Sequence, residues 1–141
     1  MRRILRAISV ATIGLATVPA VAGPPAPTAS QTLSGEWRNV KNTVHIRAYP
    51  CGDAVCGTVI WASPKAEASA REKGSDRLEG TQIFREFRPT GDGGYTGRVY
   101  VPTMGRTFAG KLRVTSDDKL VGKGCVLGGL FCKSTTWLRL N

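Results

Sequence analysis

The sequence has few of the residues and motifs on which common enzyme and membrane-protein classes depend. Its longest apolar stretch, residues 7–18, has about a dozen residues, too few to span a bilayer. Carboxylates are scattered singly apart from the Asp117-Asp118 turn, so the paired acids of a glycosidase are missing. His45 is the only histidine, and no nucleophile-elbow motif accompanies it, so the sequence does not indicate a catalytic triad.

The N-terminal residues have the parts of a secretory signal peptide. Arginines within the first six residues precede the apolar stretch, and the small-residue site Ala20-Val21-Ala22 follows it. We therefore predict cleavage after Ala22 and export to the periplasm or beyond. No cysteine follows the apolar stretch directly, so a lipoprotein anchor is not predicted.

The four cysteines predict disulfides, because an exported chain folds in an oxidising compartment. Cys51 pairs best with Cys56, and Cys125 with Cys132, since each pair flanks a glycine-containing turn. The alternative is a zinc site that also uses His45, but zinc and thioredoxin-like motifs have two residues between cysteines, unlike these pairs. We expect no metal and no cofactor. The two bonds would mainly fix the shapes of two loops.

Composition divides the rest of the chain into two parts. Residues 23–32 are rich in Pro, Ala, Ser and Thr, which predicts a disordered leader. Residues 33–141 are long enough for a single domain with one core. The net charge is +10, and the excess of basic residues remains after signal cleavage. Outside the cytoplasm such a surface favours an anionic envelope polymer, such as lipopolysaccharide or a teichoic-type chain, over nucleic acid.

Short alternating runs separated by turn residues predict eight antiparallel strands. We expect them at 33–39, 43–49, 56–62, 80–88, 95–102, 106–115, 119–126 and 134–140. The short connections favour an all-β up-and-down meander, closed into a small barrel; an open sandwich is the alternative. After the second hairpin, Ser63 to Gly74 predicts one short helix or flap over an end of the sheet, with Ser63 as cap and Pro64 in the first turn.

A family resemblance runs through the predicted domain. Its residues are, in order, Gly35-x-Trp37; Val44-x-Ile46 before Pro50-Cys51-Gly52; Cys56-Gly57-x-Val59-x-Trp61; Tyr100-x-Pro102-x-x-Gly105-Arg106-x-Phe108-x-Gly110; Gly124-Cys125; and Trp137-x-Arg139. This pattern resembles the domain-of-unknown-function family 2147, small exported bacterial proteins with no established activity. The family commonly has Asp or Asn at the position of Val101, so a ligand or catalytic role there does not carry over to this chain. G-x-W with a late arginine is also similar to lipocalin and avidin-like barrels.

Two groups of residues are candidates for a role in the barrel. In a closed meander the first and last strands are neighbours, so an arginine of one can cover an indole of the other. This predicts a closure formed by Trp37, Trp137 and Arg139. The aromatic and arginine residues around the turn after Tyr100 predict a binding rim, formed by Tyr100, Met104, Arg106, Phe108 and Trp61.

The leading functional hypothesis is a non-enzymatic periplasmic barrel, either ligand-binding or associated with the envelope. Its partner would be a small apolar or amphipathic ligand, or an anionic envelope polymer. One alternative is a hydrolase or transferase acting on envelope material through His45, Arg106 and a nearby hydroxyl. Another is an inhibitor or accessory subunit that presents its disulfide-held loops, and an apolar patch beside Gly52–Val55 or Gly128–Phe131 would favour that role.

Overall fold

The part of the chain that the structure describes contains eight strands, with a short helix after the third of them. A computed structural model describes residues 22–24 and 32–141, so the predicted signal peptide, 1–22, and leader, 23–32, lie largely outside the described residues. The elements are β1 (Gly35–Asn39), β2 (Val44–Cys51), β3 (Ala54–Ala62), α1 (Pro64–Arg71), β4 (Gln82–Pro89), β5 (Gly94–Val101), β6 (Arg106–Ser116), β7 (Lys119–Val126) and β8 (Phe131–Arg139). Single 3-10 turns, Pro102–Met104 and Leu127–Gly129, connect β5 to β6 and β7 to β8.

The strands form a closed antiparallel barrel in sequence order. Each strand pairs with the next, and β8 pairs back with β1, placing Trp37 opposite Arg139. Short connections between consecutive strands leave antiparallel pairing as the simple arrangement. The predicted up-and-down barrel is confirmed, and the open sandwich is excluded.

The inner face of the barrel carries the core, because side chains alternate between the two faces of a strand. In β2, Ile46 and Ala48 are buried, whereas Arg47 is exposed on the outer face. Each large apolar side chain that is fully buried contributes about 1.5–3 kcal/mol. The largest fully buried side chains are Trp37, Phe87, Leu33, Ile46, Leu120, Val55 and Val59.

The connections fall alternately at two ends of the barrel, since successive strands run in opposite directions. We call one the open end; its connections are 40–43, 63–81, 102–105 and 127–130. We call the other the closed end; its connections are 52–53, 90–93 and 117–118, with the segment around Leu33 beside them.

Helix α1 belongs to the open end and forms where the sequence predicts it. Ser63 caps it by accepting a hydrogen bond from the Ala66 amide at 3.2 Å, and Pro64 fits the first turn, where no amide donor is needed. The Glu67 carboxylate accepts from the amides of Leu78 and Glu79, which lowers its pKa and ties the helix to the connection that follows. No helix in the described part is long and apolar enough to cross a membrane.

Two strands begin two or three residues earlier than the sequence predicts. β3 begins at Ala54 rather than Cys56, and β8 begins at Phe131 rather than Ser134. These early starts occur because each disulfide joins two paired strands. Cys51–Cys56 joins β2 to β3, and Cys125–Cys132 joins β7 to β8. The strand pairing consequently continues up to the turns, although the residues there have turn-like composition.

Candidate ligand-binding site

A pocket of about 1040 Å³ extends from the open end into the barrel. Its inner wall is apolar, and its mouth includes residues of α1 and of the turns after β5 and β7. This size is at the upper end of the range typical of small-molecule sites. The apolar side chains of the inner wall are Val44, Val59, Phe84, Phe87, Val99, Phe108, Leu112 and Trp137.

Glycines replace side chains on the inner faces of three neighbouring strands, and at Gly124 their absence leaves room for the pocket. Gly97 of β5 pairs with Gly110 of β6, and Gly110 pairs with Gly124 of β7, so the three form a row on one face. A Cβ atom at Gly97 or Gly110 would lie 2.8 or 3.1 Å from atoms of Phe87, which packs over that part of the row. At Gly124 the nearest atom would be 3.5 Å away, an ordinary contact, so the space there is part of the pocket.

The charged residues that line the pocket all have the same sign. They are five lysines, with no carboxylate among the lining residues: Lys41, Lys65, Lys111, Lys123 and Lys133. Lys111 and Lys123 alternate with the inward-facing Gly110 and Gly124, so their side chains lie on the outer face and the positive charge of the pocket belongs to the other three. None of these lysines forms an ion pair within the part of the chain that the structure describes. The pocket therefore combines an apolar interior with unneutralised positive charge.

Lys133 is the lysine placed on the inner face of a strand. It pairs with Gly124 of β7 and alternates along β8 with Thr135 and Trp137, both of which line the pocket. Trp137 is buried deeper and meets Phe84 edge to face, with ring centres 5.6 Å apart. The inner face of β8 thus runs from an ammonium near the mouth to an indole in the wall, and a ligand there would contact both.

Polar and apolar contacts hold the segment before β1 across the closed end. The Arg139 guanidinium lies 4.1 Å from the Trp37 ring centre and donates to the carbonyls of Ser34, Thr32 and Asp117 at 2.9, 2.9 and 2.6 Å. The Trp37 indole N–H donates to the Leu33 carbonyl at 2.9 Å, and Leu33 is itself fully buried. These contacts fix the segment before β1 across this end, so the pocket opens at the other one.

Two carboxylates of the closed end are paired with arginines, in contrast to the lysines of the pocket. Asp92 accepts hydrogen bonds from Thr90, the Gly94 amide and Arg113, which lower its pKa to about 2. Asp53 pairs with Arg88 at 3.1 Å, and that hydrogen-bonded contact also lowers its pKa.

The five predicted rim residues lie in different places. Tyr100, Met104 and Phe108 line the pocket, and the Tyr100 hydroxyl lies 3.2 Å from Ser75 Oγ in the segment after α1. Arg106 is exposed at the start of β6, outside the lining. Trp61 packs against His45 on the outer face, with ring centres 4.5 Å apart and ring planes tilted by 42°. Of the three predicted closure residues, Trp37 and Arg139 touch at the closed end, whereas Trp137 lines the pocket.

The residues considered for catalysis do not converge. His45 contacts Asn42 at 2.7 Å on the outer face of β2, whereas Arg106 begins β6, on the opposite side of the eight-stranded ring. No group of three His, Cys, Asp or Glu side chains suited to a metal occurs among the described residues. The geometry of His45 and Arg106 therefore offers no common substrate position.

Sequence reasoning missed the lysines and the glycine row. Alternate glycines in β7, Gly122 and Gly124, were a usable signal, because small residues on one face of a strand leave space there. The lysines gave no local signal. Lys41, Lys65 and Lys133 come from three distant segments, and only barrel closure brings them to one pocket.

The fold of this chain is therefore that of a lipocalin-like barrel: an eight-stranded up-and-down barrel that is covered at one end and has a pocket at the other. The chain belongs to the family DUF2147, described as an uncharacterized protein conserved in bacteria, whose model matches residues 35–139. The fold is similar to that of protein HP1028 from Helicobacter pylori, which belongs to the lipocalin family. The TM-score is 0.58 and the identity 15%, over 77% of this chain and 83% of that one. No curated protein matches the sequence.

Proposed function

We propose that this protein is an exported, non-enzymatic carrier whose barrel binds a small amphiphile, with the ligand's apolar chain inside and its anionic group near the rim. The observation that carries the proposal is the lining of the pocket, which combines an apolar interior with Lys41, Lys65 and Lys133 and contains no carboxylate. An apolar chain would be stabilised by burial against residues such as Phe84 and Phe108. A carboxylate or phosphate would be stabilised by hydrogen bonds from ammonium groups such as that of Lys133.

Export is part of the proposal and has separate support. The two disulfides are typical of proteins that fold in an oxidising, extracytoplasmic compartment. The basic and apolar pattern of residues 1–22 supports delivery by a cleaved signal peptide. Mass spectrometry of protein from the native host's periplasm tests this, because it reports both cleavage after Ala22 and the loss of two hydrogens per disulfide.

Ligand binding is tested with a fluorescent anionic fatty-acid probe. We expect saturable binding to the wild type and at least about tenfold weaker binding to Gly124→Leu, which places a side chain in the pocket. Ala109→Leu is the matched control, because it adds the same side chain to the exposed outer face of the adjacent strand β6. Absence of saturable binding to the wild type would refute the carrier function.

The anionic group is tested by removing single charges. Lys133→Met should lower the affinity for the fatty-acid probe about tenfold, because a charge-assisted hydrogen bond is lost. The corresponding uncharged alcohol probe should keep its affinity. Lys119→Met, at the start of β7 near the closed end, is the control. Equal losses for acid and alcohol would show that Lys133 does not contact the anionic group.

A further inference from the structure

The large apolar side chains exposed on the described part of the barrel gather at its open end. They are Val40, Trp61, Met104, Leu127, Leu130 and Phe131. Five of them lie in the connections of that end or directly after one, and Trp61 is the next-to-last residue of β3, beside it. Leu127, Leu130 and Phe131 are 70%, 80% and 65% exposed on a single turn. Such clustering marks a surface that meets a partner.

The same end is basic around most of its rim. The segments 38–45, 101–108 and 120–136 are contiguous around the rim, since β6 neighbours β7 and β8 neighbours β1. They contain no Asp or Glu. Their basic residues are Arg38, Lys41, Arg106, Lys123 and Lys133. Carboxylates near this end are confined to the connection containing α1, where Glu67 is engaged by backbone amides.

The backbone conformation of Leu127 is unfavourable for a leucine. Its φ is 51°, in the left-handed region where glycine or asparagine is favoured and a leucine costs about 1–2 kcal/mol. Its side chain is nonetheless 70% exposed and does not line the pocket. Packing within the described chain therefore does not account for an apolar residue at this position.

We infer that the open end docks on an anionic lipid bilayer. The apolar turn after β7 enters the headgroup region, and the rim lysines face the lipid phosphates. Exposed apolar residues flanked by lysines are typical of surfaces that lie on membranes. Protein interfaces, in contrast, are depleted in lysine. Docking in this orientation also turns the pocket mouth towards the lipid, so an amphiphile passes between bilayer and barrel without crossing water.

Co-sedimentation with vesicles tests the inference without relying on the pocket. The wild-type protein is incubated with vesicles of phosphatidylcholine alone and of an equal mixture with phosphatidylglycerol. We expect strong binding to the mixture and weak binding to phosphatidylcholine, with the difference reduced by high salt. Equal binding to both vesicles, or none to the mixture, would overturn the inference.

Variants assign the contact to the open end. Leu127→Asn should bind the mixed vesicles about tenfold less, because an apolar contact is lost. Its thermal midpoint should not fall, since asparagine tolerates a positive φ, and its fatty-acid affinity in solution should be unchanged. Lys41→Gln and Lys123→Gln should each reduce binding about fivefold, and Lys119→Gln should not. Wild-type vesicle binding by Leu127→Asn, or an equal loss in Lys119→Gln, would place the contact elsewhere and overturn the inference, whatever the result of the fatty-acid assay.

Discussion

The guanidinium of Arg139 lies over the indole of Trp37, 4.1 Å from its ring centre, where the last strand of the barrel pairs with the first. The same guanidinium donates to the carbonyls of Thr32, Ser34 and Asp117. The Arg139 side chain therefore connects β8 and β1, the two strands that close the barrel, to the segment before β1.

Arg139→Lys should lower the free energy of unfolding by about 2 kcal/mol. An ammonium keeps the charge but cannot reach the three carbonyls in the planar geometry of a guanidinium, and its contact with the indole is weaker. Urea unfolding measures the change. Arg98→Lys, on the exposed outer face of β5, is the control and should behave like the wild type. Equal midpoints for both variants would contradict this account of closure.

Trp137 should report ligand entry, because it is the tryptophan that lines the pocket. A brominated fatty acid should quench part of the wild-type fluorescence, and Trp137→Phe should remove that quenching. Trp61→Phe should retain it, since Trp61 lies on the outer face against His45. Quenching that disappears in Trp61→Phe instead would place the ligand outside the barrel.

The two disulfides should contribute similarly to stability but differently to function. Each closes a short loop, with sequence separations of 5 and 7 residues, so replacing either pair with alanine should cost about 2 kcal/mol. Loss of Cys125–Cys132, beside the open end, should also weaken fatty-acid and vesicle binding, because it frees the turn after β7. Loss of Cys51–Cys56 at the closed end should leave both activities unchanged, and a loss there would contradict the assignment of the two ends.

Acid should lower the free energy of unfolding partly by protonating the Asp92 carboxylate. Its folded pKa of about 2 lies below the ordinary value of 3.8, so its contribution is fully present above about pH 4 and is lost as the pH falls to about 2. Asp92→Asn should reduce the fall in urea midpoint across that window. The effect should persist in high salt, since hydrogen bonds from Thr90 and Gly94 are its main causes. An unchanged acid dependence in Asp92→Asn would show that this carboxylate does not contribute.

The sequence was sufficient to predict the barrel because the relevant signals are local. Alternation in runs such as Val44-x-Ile46-x-Ala48, with turn residues between runs, defines strands that can pair only with their neighbours. The capped helix after Ser63 follows from local rules as well. Disulfide pairing was predictable for the same reason, since each pair flanks one turn.

The candidate site was less predictable because it depends on pairing details between strands. An irregularity between His45 and Ile46 pairs Ile46 with Val59 and His45 with Trp61, so one extra residue, Ile60, changes the alternation in β3. Trp61 consequently faces outward, although strict alternation from Val59 would turn it inward. The lysines of the pocket likewise come together only through closure of the ring, which no local pattern encodes.

The row of Gly97, Gly110 and Gly124 leaves part of the inner wall of the barrel without side chains, so only the backbone bounds the interior there. A glycine codon becomes an alanine or valine codon by a single nucleotide change, so each position is one mutational step from carrying a side chain. The steps differ in effect: a methyl group at Gly97 or Gly110 meets Phe87, whereas at Gly124 it takes only empty volume. If the barrel binds an amphiphile as proposed, a larger residue in place of Gly124 would therefore shorten the ligand that fits while leaving the outer surface unchanged.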